Sequence, residues 1–225
     1  MTDAPSQTDL ATRQDHDGFV TLTMNNPKRR NALSGDMMTA LHTAFDEIAD
    51  EQAVRCGILA ANGPVFCAGH DLKEMQGITE CDQHASLFNH CSELMMRIVS
   101  LPQPVIAQVH GMATAAGCQL VASCDLAVGA DTAKFATPGV NIGLFCSTPM
   151  VALSRNIARK HAMRMLLTGD PIDAQMAFSM GLISDVVAGD DLENHTHTLA
   201  AGIAARSGMT VRLGKQAFYK QVEMP

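Results

Sequence analysis

Three stretches of this 225-residue chain have the make-up of places where backbone groups, rather than side chains, do chemistry. The first is Phe66-Cys67-Ala68-Gly69-His70-Asp71-Leu72-Lys73, where the chain leaves a strand, passes an Ala-Gly pair and meets an acidic residue. In such a turn N–H groups can point into a cavity. The second, His110-Gly111-Met112-Ala113-Thr114-Ala115-Ala116-Gly117-Cys118-Gln119-Leu120, is a run of small residues that opens a helix. Small residues let a ligand approach the backbone, and a helix start offers unpaired donors at the positive end of the dipole. The third, Phe135-Ala136-Thr137-Pro138-Gly139-Val140-Asn141-Ile142-Gly143, is a strand running into a Pro-Gly turn. Taken singly, each is more often a packing device than a ligand cradle. Their order and spacing together favour one shared site.

The elements that must position these stretches follow from hydrophobic period and turn chemistry. Phe19 to Met24 alternates as a short strand and ends at Asn25-Asn26-Pro27. Ser34 is placed to cap a helix whose apolar residues Met37, Met38, Leu41, Phe45 and Ile48 recur at helical spacing. Arg55 to Ala60 reads as a strand before the turn Asn62-Gly63-Pro64, and Gln83 to Ser100 as a helix stopped by Leu101-Pro102. Val105 to Val109 is a buried strand, Cys118 to Ser123 a helix, and Leu126 to Ala130 and Lys134 to Thr137 short strands. From Pro149 the chain reads as mostly helical, broken at Gly169-Asp170-Pro171 and Gly181. This order predicts an α/β core of residues 19–148 with right-handed crossovers, followed by a helical part over 149–225. Residues 1–18, with four aspartates and no apolar run, read as a loose tail.

Composition narrows the functions open to such a core. With 47% apolar and 17% charged residues the chain has the profile of one globular domain, and it contains no uninterrupted apolar run long enough for a membrane span. A formal charge of -7 disfavours nucleic acid as a partner but leaves room for a small polyanion held by a few cations and helix N-termini. Seven cysteines without a C-x-x-C pair suggest neither a disulfide framework nor a zinc site. Cys56, Cys67, Cys118 and Cys124 lie in apolar surroundings, as core residues of a reducing compartment would, and a cytoplasmic location is expected. The N-terminus resembles neither a secretory signal nor an arginine-rich transit peptide.

The order of motifs resembles that of the enoyl-CoA hydratase/isomerase (crotonase) superfamily over nearly the whole chain. Pro27-Lys28-Arg29-Arg30-Asn31-Ala32-Leu33 is similar to the family's proline-then-Asn-Ala-Leu signature, and Ala68-Gly69-His70-Asp71-Leu72 to its Ala-Gly-x-Asp-Leu turn. Pro104-Val105-Ile106-Ala107 with Gly111 and Gly117-Cys118, then Cys124-Asp125-Leu126, Leu167-Thr168-Gly169 and Ala177 to Leu182, continue the match. Gly-His-Asp-Leu and Val-Asn-Ile-Gly-Leu-Phe-Cys-Ser-Thr-Pro look closest to the enoyl-CoA hydratase domain-containing branch. The resemblance implies a ClpP-like spiral of ββα units and an acyl-coenzyme A thioester as substrate or ligand, with no permanently bound cofactor and no metal. It implies a homotrimer or dimer of trimers. It also implies an oxyanion hole made by the backbone N–H groups of His70 and Ala116, which would stabilise a thioester enolate. Alanine at 115 and 116, where glycine is usual, tightens the pocket floor. Coenzyme A contacts are implied for Lys28, Arg30, Ala68, His70, Asp71 and Leu72, with Arg29 completing the basic triplet.

The same resemblance exposes a departure. Gln119 and Gly139 stand where hydratases of the family carry their two glutamates, and Ser147 where some isomerases carry an aspartate. Neither Gln119 nor Gly139 can exchange a proton near neutral pH, and general acid–base catalysis is worth roughly 10²–10⁴ per group. Two readings result: an acyl-CoA-processing enzyme of the lyase class that relies on enolate stabilisation, or a non-catalytic acyl-CoA-binding protein. Few side chains are placed to replace the glutamates. The His70 ring could titrate near pH 7 but is expected to serve as a hydrogen-bonded support of its turn. Cys146 and Ser147, nucleophiles only with an adjacent base, are expected to be packing residues. Asp71 and Asp125 are expected to cap or form turns. Family members usually continue in helix beyond Phe218-Tyr219-Lys220, so a more open site or altered interface is expected here.

Overall fold

The computed structural model describes residues 10–222 and 224. Two sheets share the strands almost alternately. The larger has six strands in the order β1 (Ala11–Asp15), β2 (Phe19–Met24), β3 (Cys56–Ala61), β5 (Val105–Val109), β7 (Leu126–Ala130), β10 (Asp185–Val187). The smaller has four, β4 (Val65–Cys67), β6 (Met112–Thr114), β8 (Lys134–Ala136) and β9 (Ile172–Asp173). Consecutive pairs β3/β4, β5/β6 and β7/β8 each give one strand to each sheet, and like members pair in parallel. That repetition is the spiral of ββα units.

Helices α1 (Gly35–Asp50), α2 (Leu72–Gly77), α3 (Cys81–Ser100) and α4 (Ala116–Ser123) fill the connections. Ser34 accepts the Met37 N–H at the head of α1, satisfying one of the helix's free donors. The apolar face of α1, with Met37, Met38, Leu41, Phe45 and Ile48, is buried in a core shared with β2, α3 and α4. Beyond β8 come α5 (Ser147–Asn156), α6 (Arg159–Thr168), α7 (Ala174–Met180), α8 (Leu192–Ala204) and α9 (Gly208–Val222).

The last helix is fixed by a buried ion pair rather than by a broad apolar stripe. Lys215 Nζ donates to Asp125 Oδ2 at 2.7 Å and to the carbonyls of Ile98 and Gln103, each at 3.0 Å. Asp125 Oδ2 also accepts the Val105 N–H at 2.7 Å, and its Oδ1 accepts the Tyr219 hydroxyl at 3.1 Å. One carboxylate therefore ties together the start of β5, the segment that follows α4, and α9.

Two expectations are corrected. Residues 11–15 are not part of a loose tail: they form β1, antiparallel to β2, with Arg13 held by Asp15 and Glu51. The remainder of that expected tail, residues 1–9, lies outside the described residues. The part over 149–225, expected to be mostly helical, also holds the short strands β9 and β10. Strands of two or three residues are too short to show an alternating period.

Candidate active site

The first wall of the site is the turn after β4. Almost every backbone donor in it is already engaged. Ala68 N–H donates to Arg30 O at 3.0 Å, Gly69 N–H to the Cys67 sulfur, and Asp71 N–H to Leu33 O at 3.3 Å. The His70 N–H donates to no acceptor among the described residues. Gly69, with φ +84, makes the turn that points it away from the strand. Asp71 then caps α2 through the N–H groups of Lys73 and Glu74 and forms an ion pair with Arg29.

The second wall is the head of α4. Ala115 N–H donates to Ala136 O at 2.9 Å, whereas the N–H of Ala116, first residue of the helix, has no acceptor among the described residues. Ala115 adopts φ 52 and ψ −120, a conformation that an L-residue rarely takes. The two walls are pressed together through glycines. A Cβ on Gly69 would lie 3.1 Å from Ala116 N and 2.9 Å from both Ala115 Cβ and Thr114 O. A Cβ on Gly117 would run into the carbonyl oxygen of Cys67. Two unpaired N–H groups thus stand on adjoining segments, one of them at a helix N-terminus.

The rest of the site differs in character. Gln119, on the second turn of α4, is buried, and its Oε1 has no hydrogen-bond partner among the described residues. Thr137, fully buried just before the Pro138-Gly139 turn, leaves its Oγ1 equally unpaired. Gly139 has no space for a side chain. A Cβ there would lie 2.8 Å from Leu144 O, 2.9 Å from Cys146 Sγ and 3.2 Å from Cys146 N. Cys146 Sγ accepts the Gly139 N–H at 3.3 Å, so the thiol occupies the place from which a longer residue at 139 would have to grow. Burial pushes the Cys146 thiol above its ordinary value, which the Gly139 N–H opposes. Leu72, which follows the first wall, and Leu144 and Phe145, which follow the Pro138-Gly139 turn, are exposed.

Two expectations about side chains change with these contacts. The His70 ring is not a hydrogen-bonded support of its turn: Nε2 is buried without a partner, and the ring meets Phe88 edge-on at 5.3 Å between centroids. Burial lowers its pKa below the ordinary 6.5. Ser147 is not a packing residue: it is exposed at the head of α5, with its hydroxyl on Phe145 O at 3.3 Å. Lys28 and Arg30 are exposed on the turn preceding Asn31, and the Arg30 carbonyl, through its bond to Ala68, links that turn to the first wall. Ala68 is half-buried. Among the described residues no group of His, Cys, Asp and Glu is arranged to hold a metal ion. Arg29 as the partner of Asp71, the Cys146 thiol against Gly139, and Thr137 were not anticipated in these roles. Only three-dimensional apposition reveals them.

Comparison with known proteins agrees with this architecture. The family model described as enoyl-CoA hydratase/isomerase matches residues 14–225. The rat enoyl-CoA hydratase domain-containing protein 3, mitochondrial, is 50% identical over 217 residues, which cover 96% of this chain and 72% of the relative. The human protein of the same name is 52% identical over 206 residues, covering 92% and 68%. A crystal structure of an enoyl-CoA hydratase from Mycobacterium smegmatis superposes with a TM-score of 0.94 at 49% identity, covering 96% of this chain and 84% of that one. That of human enoyl coenzyme A hydratase domain-containing protein 3 gives 0.93 at 49%, covering 96% and 85%.

The chain belongs to the enoyl-CoA hydratase/isomerase family and has the crotonase fold. The relatives about 50% identical to it lie in the enoyl-CoA hydratase domain-containing branch. The expected cytoplasmic location is overturned, because those relatives are named mitochondrial. Free cysteines do not distinguish one compartment from another.

Proposed function

We propose that this protein binds acyl-coenzyme A thioesters, places the thioester carbonyl oxygen between the N–H groups of His70 and Ala116, and stabilises the enolate form without the acid–base pair of a hydratase. The observation that carries this reading is the pair of unpaired donors on segments packed through Gly69 and Gly117. Donors held in advance of the reaction act on charge as it develops, and each contributes on the order of 10²–10³ in rate. Water addition also needs a base for the water and an acid for the α-carbon. Gln119 supplies an amide, and the Gly139 position is closed by Cys146 and Leu144. Exposed Leu72, Leu144 and Phe145 support an apolar rim for the acyl chain, and Lys28 and Arg30 supply cations for the coenzyme's phosphates.

A second reading, a binding protein without turnover, is favoured by the unpaired Gln119 and Thr137 atoms, which can hold a ligand but cannot shuttle a proton. The experiment is to titrate butyryl-CoA calorimetrically and to follow crotonyl-CoA by loss of its conjugated thioester absorbance. Binding with hydration at least about 10⁴-fold below that of a two-glutamate hydratase is the expected result. Hydration at a hydratase's rate overturns the acid–base part, and absence of acyl-CoA binding overturns the whole reading.

A further inference from the structure

A second concave place shares no residue with the thioester site. It is a cleft of about 480 Å³ bordered by the end of α1, the entries to β3 and β5, and the head of α9. In a chain with 23 acidic against 16 basic residues, this cleft is lined by Arg55 and Arg212 and by no aspartate or glutamate. The stem of Arg55 crosses the head of α9: a Cβ on Gly208 would lie 3.8 Å from its Cγ. Its Nη1 donates to Ala204 O at 3.0 Å, and the rest of the guanidinium fork has no acceptor among the described residues. The Arg212 side chain, exposed on the first turns of α9, has neither an ion pair nor a hydrogen bond among the described residues. The N–H groups of Gly208 and Met209, which begin α9, have no acceptor there either.

Gln103, which also lines the cleft, is buried. Its Nε2 donates to Ile48 O at 2.8 Å and Val54 O at 3.2 Å, which fixes the amide, while its Oε1 has no partner among the described residues. Free guanidinium and N–H groups call for an anion, and an unpaired acceptor calls for a donor. We infer that this cleft binds a small phosphomonoester carrying a hydroxyl group, at a site separate from that of the thioester. Two uncompensated guanidinium charges match the nearly two negative charges of a phosphomonoester at neutral pH, whereas a carboxylate brings one. Arginine meets phosphate oxygens through paired N–H bonds, and a helix head adds donors and the positive end of its dipole. The ligand's hydroxyl then supplies the hydrogen that Gln103 Oε1 lacks. The volume suits a small organic molecule, for which sites of about 300–1,000 Å³ are usual.

Glycerol 3-phosphate carries both groups and propyl phosphate lacks the hydroxyls, which makes them the probes. Each is titrated calorimetrically, alongside butyryl-CoA, into the wild type and Arg212→Ala at low ionic strength, where exposed charges are least screened. The wild type is expected to bind glycerol 3-phosphate with a dissociation constant of about 1 mM or tighter, and propyl phosphate about tenfold more weakly. Arg212→Ala, which removes an exposed and unpaired side chain, is expected to melt within about 2 °C of the wild type. It binds glycerol 3-phosphate at least about tenfold more weakly, while its affinity for butyryl-CoA changes by less than about twofold. No binding of glycerol 3-phosphate to the wild type, or an affinity that Arg212→Ala leaves unchanged, overturns the site. Equal binding of propyl phosphate overturns the part given to the hydroxyl and Gln103. A matching loss of butyryl-CoA affinity in Arg212→Ala assigns the cleft to the coenzyme's own phosphates and overturns its independence from the thioester site.

Discussion

Two buried polar regions of this protein obey opposite rules. Around Asp125 the demands of charge are met: both carboxylate oxygens accept hydrogen bonds, and Lys215 donates to three oxygens. At the site, Gln119 Oε1, Thr137 Oγ1 and His70 Nε2 are buried and unpaired, and the N–H groups of His70 and Ala116 have no acceptor among the described residues. Burying a polar atom without a partner costs about 1–3 kcal/mol. The first region therefore holds the fold together. The second carries a cost that is explicable where a ligand completes the missing bonds.

The sharpest way to break this contrast is to remove the cation from the first region. Lys215→Met leaves the largely enclosed Asp125 against Val105 and Tyr219 without its counter-charge, and α9 loses its main polar tether. Removing one partner of a buried pair costs about 3–5 kcal/mol. For a domain of this size that is a fall of roughly 10 °C in melting temperature. Affinity for butyryl-CoA measured well below the melting range is expected to change by less than about twofold, because distant sites are nearly independent. A melting temperature within about 2 °C of the wild type would show that the network is ornamental rather than structural.

How much of this was legible in the sequence differs between the two regions. The strand Val105–Val109 and the Ser34-capped helix follow from local period and capping chemistry, and the structure has both. His70, Ala116, Gln119 and Gly139 were singled out by the resemblance alone, and they lie on the segments proposed to form the site. The Asp125–Lys215 pair spans 90 residues, and no local pattern announces it. The closure of the Gly139 position by Cys146 is equally invisible, because a glycine in a sequence says nothing about what its missing side chain would strike. It also bears on engineering. Placing a glutamate at 139 would require moving the 144–146 segment, and overpacking of this kind costs about 1–3 kcal/mol.

A smaller effect of opposite sign sharpens the contrast from the other side. Gln119→Leu replaces an amide whose Oε1 is buried and unpaired with an apolar side chain of similar size. Removing an unsatisfied buried group is expected to stabilise the free protein by about 1 kcal/mol, read as a rise of about 2–4 °C in melting temperature. The same substitution removes a hydrogen-bonding group from the site and so is expected to weaken butyryl-CoA binding or leave it unchanged. A loss of stability comparable to that of Lys215→Met would mean that Gln119 belongs to the structural region instead.

The smallest effect concerns protons. Burial holds the His70 pKa below its ordinary value of 6.5, so the ring is neutral in the folded protein under conditions in which it is charged in the unfolded chain. The sign follows from linkage: below pH 6.5 the unfolded state binds a proton that the folded state does not, so stability present above that pH is lost on acidification. The loss continues until the lowered folded-state pKa is reached. His70→Leu removes the titrating group while leaving the backbone donor at 70 and an apolar contact for Phe88. Between pH 7 and pH 5.5 the variant is expected to lose about 2 °C less in melting temperature than the wild type. His16, whose pKa is also lowered chiefly by burial, is untouched and keeps part of the acid sensitivity in both proteins. Parallel melting curves for the two proteins across that range would mean that the His70 ring is solvated. The unpaired character of this side of the site would then be confined to Gln119 and Thr137.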